Sequence, residues 1–183
     1  GELEGIHTSK QETAIGALVT IEELRTNAFI NKNFPSLVKA AAGIASAQMR
    51  TMGTVGGDLC QRPRCWYFRS GFGLLAQDAG GKSLVPGGEN KYHAIFGNGG
   101  PAYFVSPSSL APALIALGAT VTLTGPGGSR DVTVANFFLT PKSPAEREHV
   151  LKPNEILTHI TIPAASHGLQ NATYEVRQRE MLD

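Results

Sequence analysis

From Gln61 to Gly100 the sequence loses every sustained helical or strand period and becomes a run of arginines, aromatics and glycines between two ordered stretches. A loop of that length inside a compact chain is uncommon and usually has a task. It therefore dictates the layout: two small ordered lobes with a natural boundary between them. On this division the chain falls into residues 1–60, an irregular stretch 61–100, and residues 101–183. With 183 residues, 42% of them hydrophobic and 17% charged, the chain can bury a core as one domain or two lobes.

On either side of the irregular stretch the periodicities are clear. Alternation from Thr13 to Leu18 predicts a strand, and Thr20 followed three residues on by Glu23 is a capping-box start for a short helix. The segment Pro35 to Ala47 places Leu37, Val38, Ala41, Ile44 and Ala45 at helical spacing and predicts a second helix, which leads into a glycine loop at 53–58. Beyond the stretch, Ser106 to Ser109 precede a helix over Leu110 to Leu117, with Gly118 as its C-terminal cap and Pro112 tolerable only in the first turn. Strand-like runs at Ala119–Thr124 and Arg130–Val134 flank Gly125-Pro126-Gly127-Gly128, a hairpin signal. A last strand, Ile156 to Ile162, ends at Pro163. Strands and helices do not alternate strictly and nothing repeats, so the pattern predicts an α+β fold.

Bulk chemistry narrows the ligands. Sixteen Lys and Arg against fifteen Asp and Glu give no global field for nucleic acid or an anionic membrane, so a small ligand or a protein partner is expected. Two cysteines are too few for a secreted disulfide framework and favour a reducing compartment. No stretch reaches the roughly 18 apolar residues of a membrane span, and the first residues have no signal-peptide character, so no membrane insertion is expected. The missing initiator methionine and an ending without a helix stop suggest a piece of something longer.

Two motifs carry the chemistry. Gly53-Thr54-Val55-Gly56-Gly57-Asp58 brings three glycines into six residues, so the backbone can turn sharply and a bulky anion can approach N–H groups without meeting a Cβ. Thr54 adds a hydroxyl donor, and Asp58 can accept from a ribose or orient the loop. The same six residues also suit a plain tight turn. They lack the spacing of a Rossmann loop or a P-loop. The second motif, Cys60 to Arg69, packs cations among aromatics. A nucleic-acid patch would need more basic residues nearby, and a Cys-x4-Cys metal site would need two more ligands. A structural or interfacial block remains, with arginines for phosphate or a neighbouring subunit. His7, His149, His159 and His167 are scattered as surface or packing residues, and Glu22 and Glu23 belong to a helix start.

Taken in order, Ser46-Ala47-Gln48-Met49-Arg50, the loop Gly53 to Leu59, and Arg64-Cys65-Trp66-Tyr67-Phe68-Arg69 resemble the FAD-binding subunits of the xanthine dehydrogenase and aldehyde oxidoreductase family. Tyr92 to Asn98, Ser106 to Leu114 and Glu155 to Thr158 extend the resemblance along almost the whole chain. It implies a two-lobed FAD domain of the vanillyl-alcohol oxidase type, its N-terminal lobe incomplete here. Residues 1–60 would be the remainder of the first lobe and 101–183 the second. It implies an iron-sulfur subunit and a molybdopterin subunit as partners, with molybdopterin and [2Fe-2S] centres in those chains. Electrons would pass from them through FAD to an acceptor.

Under the resemblance Thr54, Val55, Gly56, Gly57 and Asp58 form one of two grips on the FAD pyrophosphate. Ser109 stands where the family usually has an aspartate, Leu157 matches a position near the flavin ring, and Arg177 matches a basic position near its far edge. No catalytic acid, base or nucleophile and no metal ligand is assigned. Some relatives hold a [4Fe-4S] cluster with four cysteines in the long loop; this chain has only Cys60 and Cys65, so no such cluster is expected. Three functions follow: an FAD electron-transfer subunit of a molybdenum hydroxylase, a stand-alone flavin oxidase or dehydrogenase, and a non-catalytic docking module. A cytoplasmic location is expected, with a periplasmic one, through a partner's export signal, as the alternative.

Overall fold

The computed structural model describes residues 3–94 and 96–176. They form two compact units, one from the described parts of Gly1–Cys60, Ser108–Phe137 and Leu151–Asp183, the other from Gln61–Pro107 and Phe138–Val150.

The first unit is built on an antiparallel sheet of strands β1 (Ile6–Thr8), β2 (Glu12–Gly16), β3 (Thr120–Gly125), β4 (Gly128–Thr133) and β5 (Ile156–Pro163), in the order β1-β2-β5-β3-β4. Alternation puts Thr13 and Ile15 of β2, Ile160 and Ile162 of β5 and Val121 of β3 on the buried face. Ile15 pairs with Ile160, and Ile160 with Val121, so the registers stack these side chains into one row across the core. The hairpin forms as its glycines predict, with Gly125 opposite Gly128, although β4 begins at Gly128 and hands Val134 to a following helix.

Strand β5 departs from simple alternation. Its register against β3 shifts between Thr122, which faces His159, and Leu123, which faces Leu157. Thr158 is the extra residue of this β-bulge, which is why Leu157 and Ile160 are both buried despite an odd separation. At the strand's start Glu155 receives two hydrogen bonds from Arg130, at 2.9 and 2.8 Å. That guanidinium, with the Lys152 N–H, holds the Glu155 carboxyl down at about 2.

Helices cover the buried face. The capping box at Thr20 is present in full and starts α1 (Ile21–Thr26); the Asn27 side chain then accepts from Phe29 and Ile30 N–H to start α2 (Ala28–Asn33). The helix expected over Pro35–Ala47 is two: α3 (Pro35–Ala42) and α4 (Ala47–Met52). Gly43 closes the first, Ala45 takes a positive φ, and the Ser46 side chain accepts from Met49 N–H to begin the second. Leu24, Ile30, Phe34 and Leu37 are fully buried beneath them. His167 sits edge-on to Phe29 and Phe34, with its Nε2 3.0 Å from Thr13 Oγ1. Short helices α5 (Val55–Leu59), α6 (Leu110–Ala116) and α7 (Val134–Phe137) complete the unit, with Pro112 inside the first turn of α6 and Gly118 beyond its end. Among the described residues no helix is long and apolar enough to cross a membrane.

The second unit is mostly irregular, with one wide turn at Phe68–Phe72. A buried Glu148 holds it together, paired with Arg62 and, at 3.5 Å, with Arg147, while the Arg62 guanidinium lies 5.0 Å from the Phe68 ring centre. Next to it His149 is buried, and burial pushes its pKa below the ordinary value. The unfolded chain therefore takes a proton near pH ~6.5 that the folded chain refuses. This group's contribution to stability is full above that pH and declines as pH falls through it toward the lower folded value. Melting temperature is expected to drop on acidification from pH ~7.5 to ~5.5, and to drop less in His149→Gln. An equal drop in both proteins would remove His149 as the cause.

Candidate flavin site

The residues that suggested an anion-binding loop do not form a loop. Gly53 closes α4, Thr54 is the N-cap of α5, and Val55 to Leu59 are helical. Glycine is a poor helix former, but Val55 and Leu59 each bury to 1% exposure, and that packing outweighs the propensity of Gly56 and Gly57.

The backbone of this turn is laced to the first strand-helix connection. Ile21 N–H donates to Gly53 O, Val55 N–H to Val19 O and Gly56 N–H to Ala17 O, each at 2.9 Å. Ala17 N–H in turn donates to Thr158 O at 2.9 Å, at the bulge of β5. The next two N–H groups are also taken, Gly57 by Thr54 Oγ1 at 3.0 Å and Asp58 by Thr54 O at 2.9 Å. The expectation of exposed N–H groups at 54–58 is thus corrected: all four from Val55 to Asp58 bond within the chain. What lies at the surface is the bare Gly57, beside a half-buried Thr54.

The two glycines differ sharply. Gly56 is buried, and a Cβ on it would lie 2.8 Å from Ala17 Cβ and 2.9 Å from Ala17 O, so glycine is required for close packing. Gly57 is exposed, and a Cβ there would meet only Thr54 Oγ1, at 3.0 Å. Internal packing explains Gly56. It does not demand glycine at 57.

Asp58 is 5% exposed and turns inward. Its Oδ2 accepts the Ser108 hydroxyl and, at 3.2 Å, the Leu110 N–H, while Ser108 Oγ accepts Ala111 N–H at 3.1 Å. The carboxylate thereby caps α6 from a separate element, orienting the chain around it. Ser109 is half-buried at the start of α6 and makes no side-chain cap bond. The capping hydroxyl is that of Ser108, which sequence reasoning passed over although it stands three residues before Ala111. Leu157, 8% exposed, adjoins the Thr158 carbonyl that Ala17 binds. Backbone and carboxylate bonds therefore tie Thr54–Asp58, Ser109 and Leu157 into one unit. Arg177 lies outside the described residues.

Elsewhere on this unit Glu12, Thr122, Arg130, Asp131, His159 and Thr161 line a polar groove of about 420 Å³. No expected site residue lines it. Among the described residues no group of three or more His, Cys, Asp or Glu side chains gathers as a metal site.

Comparison with known proteins identifies the family. The profile described as the FAD binding domain in molybdopterin dehydrogenase matches residues 1–165. The chain is 31% identical over 156 residues to the aldehyde oxidoreductase FAD-binding subunit of Escherichia coli (strain K12), covering 84% of this chain and 49% of that protein. It is 28% identical over 182 residues to the carbon monoxide dehydrogenase medium chain of Hydrogenophaga pseudoflava, covering 100% of this chain and 47% of that one. The chain thus spans about half the length of the curated relatives it matches. A crystal structure of Cu,Mo-CO dehydrogenase superposes with a TM-score of 0.56 at 24% identity, over 89% of this chain and 41% of that one, and so shares the fold. With the family profile spanning nearly the whole described chain, this protein belongs to the family of FAD-binding domains in molybdopterin dehydrogenases.

Proposed function

We propose that this chain is the FAD-holding part of an electron-transfer subunit of a molybdenum hydroxylase. An iron-sulfur subunit and a molybdopterin subunit would be its partners; relatives named as a FAD-binding subunit and as a medium chain support a place in a multi-subunit enzyme. Gly57 is the observation that carries the reading. It is exposed, its neighbours leave the position open apart from the Thr54 hydroxyl, and a side chain there would fill the space beside that hydroxyl. A bare backbone next to a hydroxyl donor fits close approach by a pyrophosphate.

Thr54 would donate to the cofactor's phosphate, since its oxygen already accepts from Gly57 and its proton has no acceptor among the described residues. Val55 and Gly56 hold the turn against residues 17–19. Asp58 acts at one remove, by fixing the start of α6 where Ser109 stands. Leu157 would give an apolar wall on the flavin side, and Arg177 a positive charge at its far edge. When bound, FAD supplies the capacity to take electrons and pass them on, and the protein sets its position and surroundings. The stretches 1–60 and 101–183 would both contribute to holding it, in a cytoplasmic complex.

The purified full-length subunit is expected to be yellow and to release flavin on denaturation. A colourless preparation that takes up no added FAD would contradict the reading. Co-purification of subunits with molybdopterin and [2Fe-2S] centres separates it from a stand-alone flavin enzyme.

A further inference from the structure

The second unit contains a nucleophile and a base that the flavin site does not use. Cys65 Sγ lies 3.3 Å from His93 Nε2. The pairing belongs to a short zipper: Trp66 packs against Tyr92 with ring centres 5.4 Å apart and planes tilted by 59°, and Tyr67 Oη accepts the Glu89 N–H at 2.8 Å. Three successive residues from 65 to 67 thus each meet a residue between 89 and 93, which fixes the thiol against the imidazole. The Tyr67 ring lies 6.2 Å from that of His93, and the His93 backbone N–H donates to Asn90 O at 3.0 Å. His93 Nδ1 is buried without a hydrogen-bond partner among the described residues, so no protein acceptor draws on the ring from that side.

Cys65 itself is half-buried and so keeps a path to solvent. Cys60 gives the contrast. Burial pushes its thiol up to about 11, and no imidazole among the described residues is bonded to it.

We propose that Cys65, with His93 as its base, is a redox-modification site for small hydroperoxides, hydrogen peroxide being the simplest. His93 Nε2 takes the thiol proton as sulfur attacks one peroxide oxygen. The S–O bond forms, the O–O bond breaks, and the departing hydroxide takes the imidazolium proton to leave as water. Sulfur is oxidised by two electrons to sulfenic acid, and the peroxide is reduced by the same two.

The purified protein is treated with hydrogen peroxide near neutral pH beside a dione that traps sulfenic acid, and peptides bearing Cys65 and Cys60 are quantified by mass spectrometry. Cys65 is expected to be trapped at least ~10-fold faster than Cys60, and His93→Gln to slow it by at least ~10-fold with Cys60 unchanged. Loosening of the fold would expose both thiols and speed trapping, so a slower Cys65 reports the lost base. Equal rates for the two cysteines, or a Cys65 rate untouched by His93→Gln, would overturn the proposal. Where the variant does not fold, the ratio of the two cysteines in the unaltered protein decides alone.

Discussion

Asp58→Ala is expected to lower stability by about 3 kcal/mol, since it leaves the buried Ser108 hydroxyl and the Leu110 N–H without their carboxylate acceptor. Two effects add. The Leu110 N–H at a helix start loses its acceptor, typically ~1 kcal/mol, and the buried Ser108 hydroxyl left unpaired costs about 1–3 kcal/mol. For a chain of this size the loss corresponds to a melting temperature lower by roughly 6–12 °C. Asp58→Asn keeps an oxygen acceptor and is expected to cost about 1 kcal/mol. Thermal unfolding of the two variants beside the parent checks the account. An Asp58→Ala protein melting within ~1 °C of the parent would show that the carboxylate does not hold α6.

Gly56→Ala is the second large effect. The new methyl would meet Ala17 Cβ at 2.8 Å and Ala17 O at 2.9 Å, and a backbone carbonyl cannot swing aside as a flexible side chain can. Relief requires α5 to move off residues 17–19 and to stretch the Gly56 N–H bond to Ala17 O. Overpacking of this kind costs about 1–3 kcal/mol. Denaturant unfolding is expected to show that loss with an unchanged slope. A midpoint equal to the parent's would mean that the turn has slack that the packing does not suggest.

How far the sequence disclosed these features depends on how local they are. The capping box at Thr20 and Glu23 was legible because both partners lie within one helical turn, and the hairpin at Gly125–Gly128 because its glycines state the turn directly. The helix over Pro35–Ala47 was overextended: apolar spacing runs on through Ile44 and Ala45, but Gly43 and the Ser46 cap end one helix and begin another. Three glycines made residues 53–58 read as a loop, since nothing local reveals that Val55 and Leu59 will be buried and hold the segment helical. The bulge at Thr158 depends on the register with β3, a partner more than thirty residues away, and no pattern within β5 announces it. The joining of residues 138–150 to the irregular stretch includes a long-range pair, Arg62 with Glu148, that no local pattern announces. In the candidate flavin site the motif is visible in the sequence but the difference between its two adjacent glycines is not. Gly56 and Gly57 are identical in sequence, and only the structure separates the one that packs from the one that is open.

That separation gives the most direct test of the flavin site. FAD affinity is measured by titration for the parent and for Gly57→Val, with thermal unfolding of both in the absence of flavin. Because position 57 is exposed, the unliganded variant is expected to stay within about 1 kcal/mol of the parent, while FAD binds at least ~10-fold more weakly and partner subunits are retained. Undiminished FAD affinity in a folded Gly57→Val protein would contradict the account and would leave the turn at 53–58 as a structural element alone.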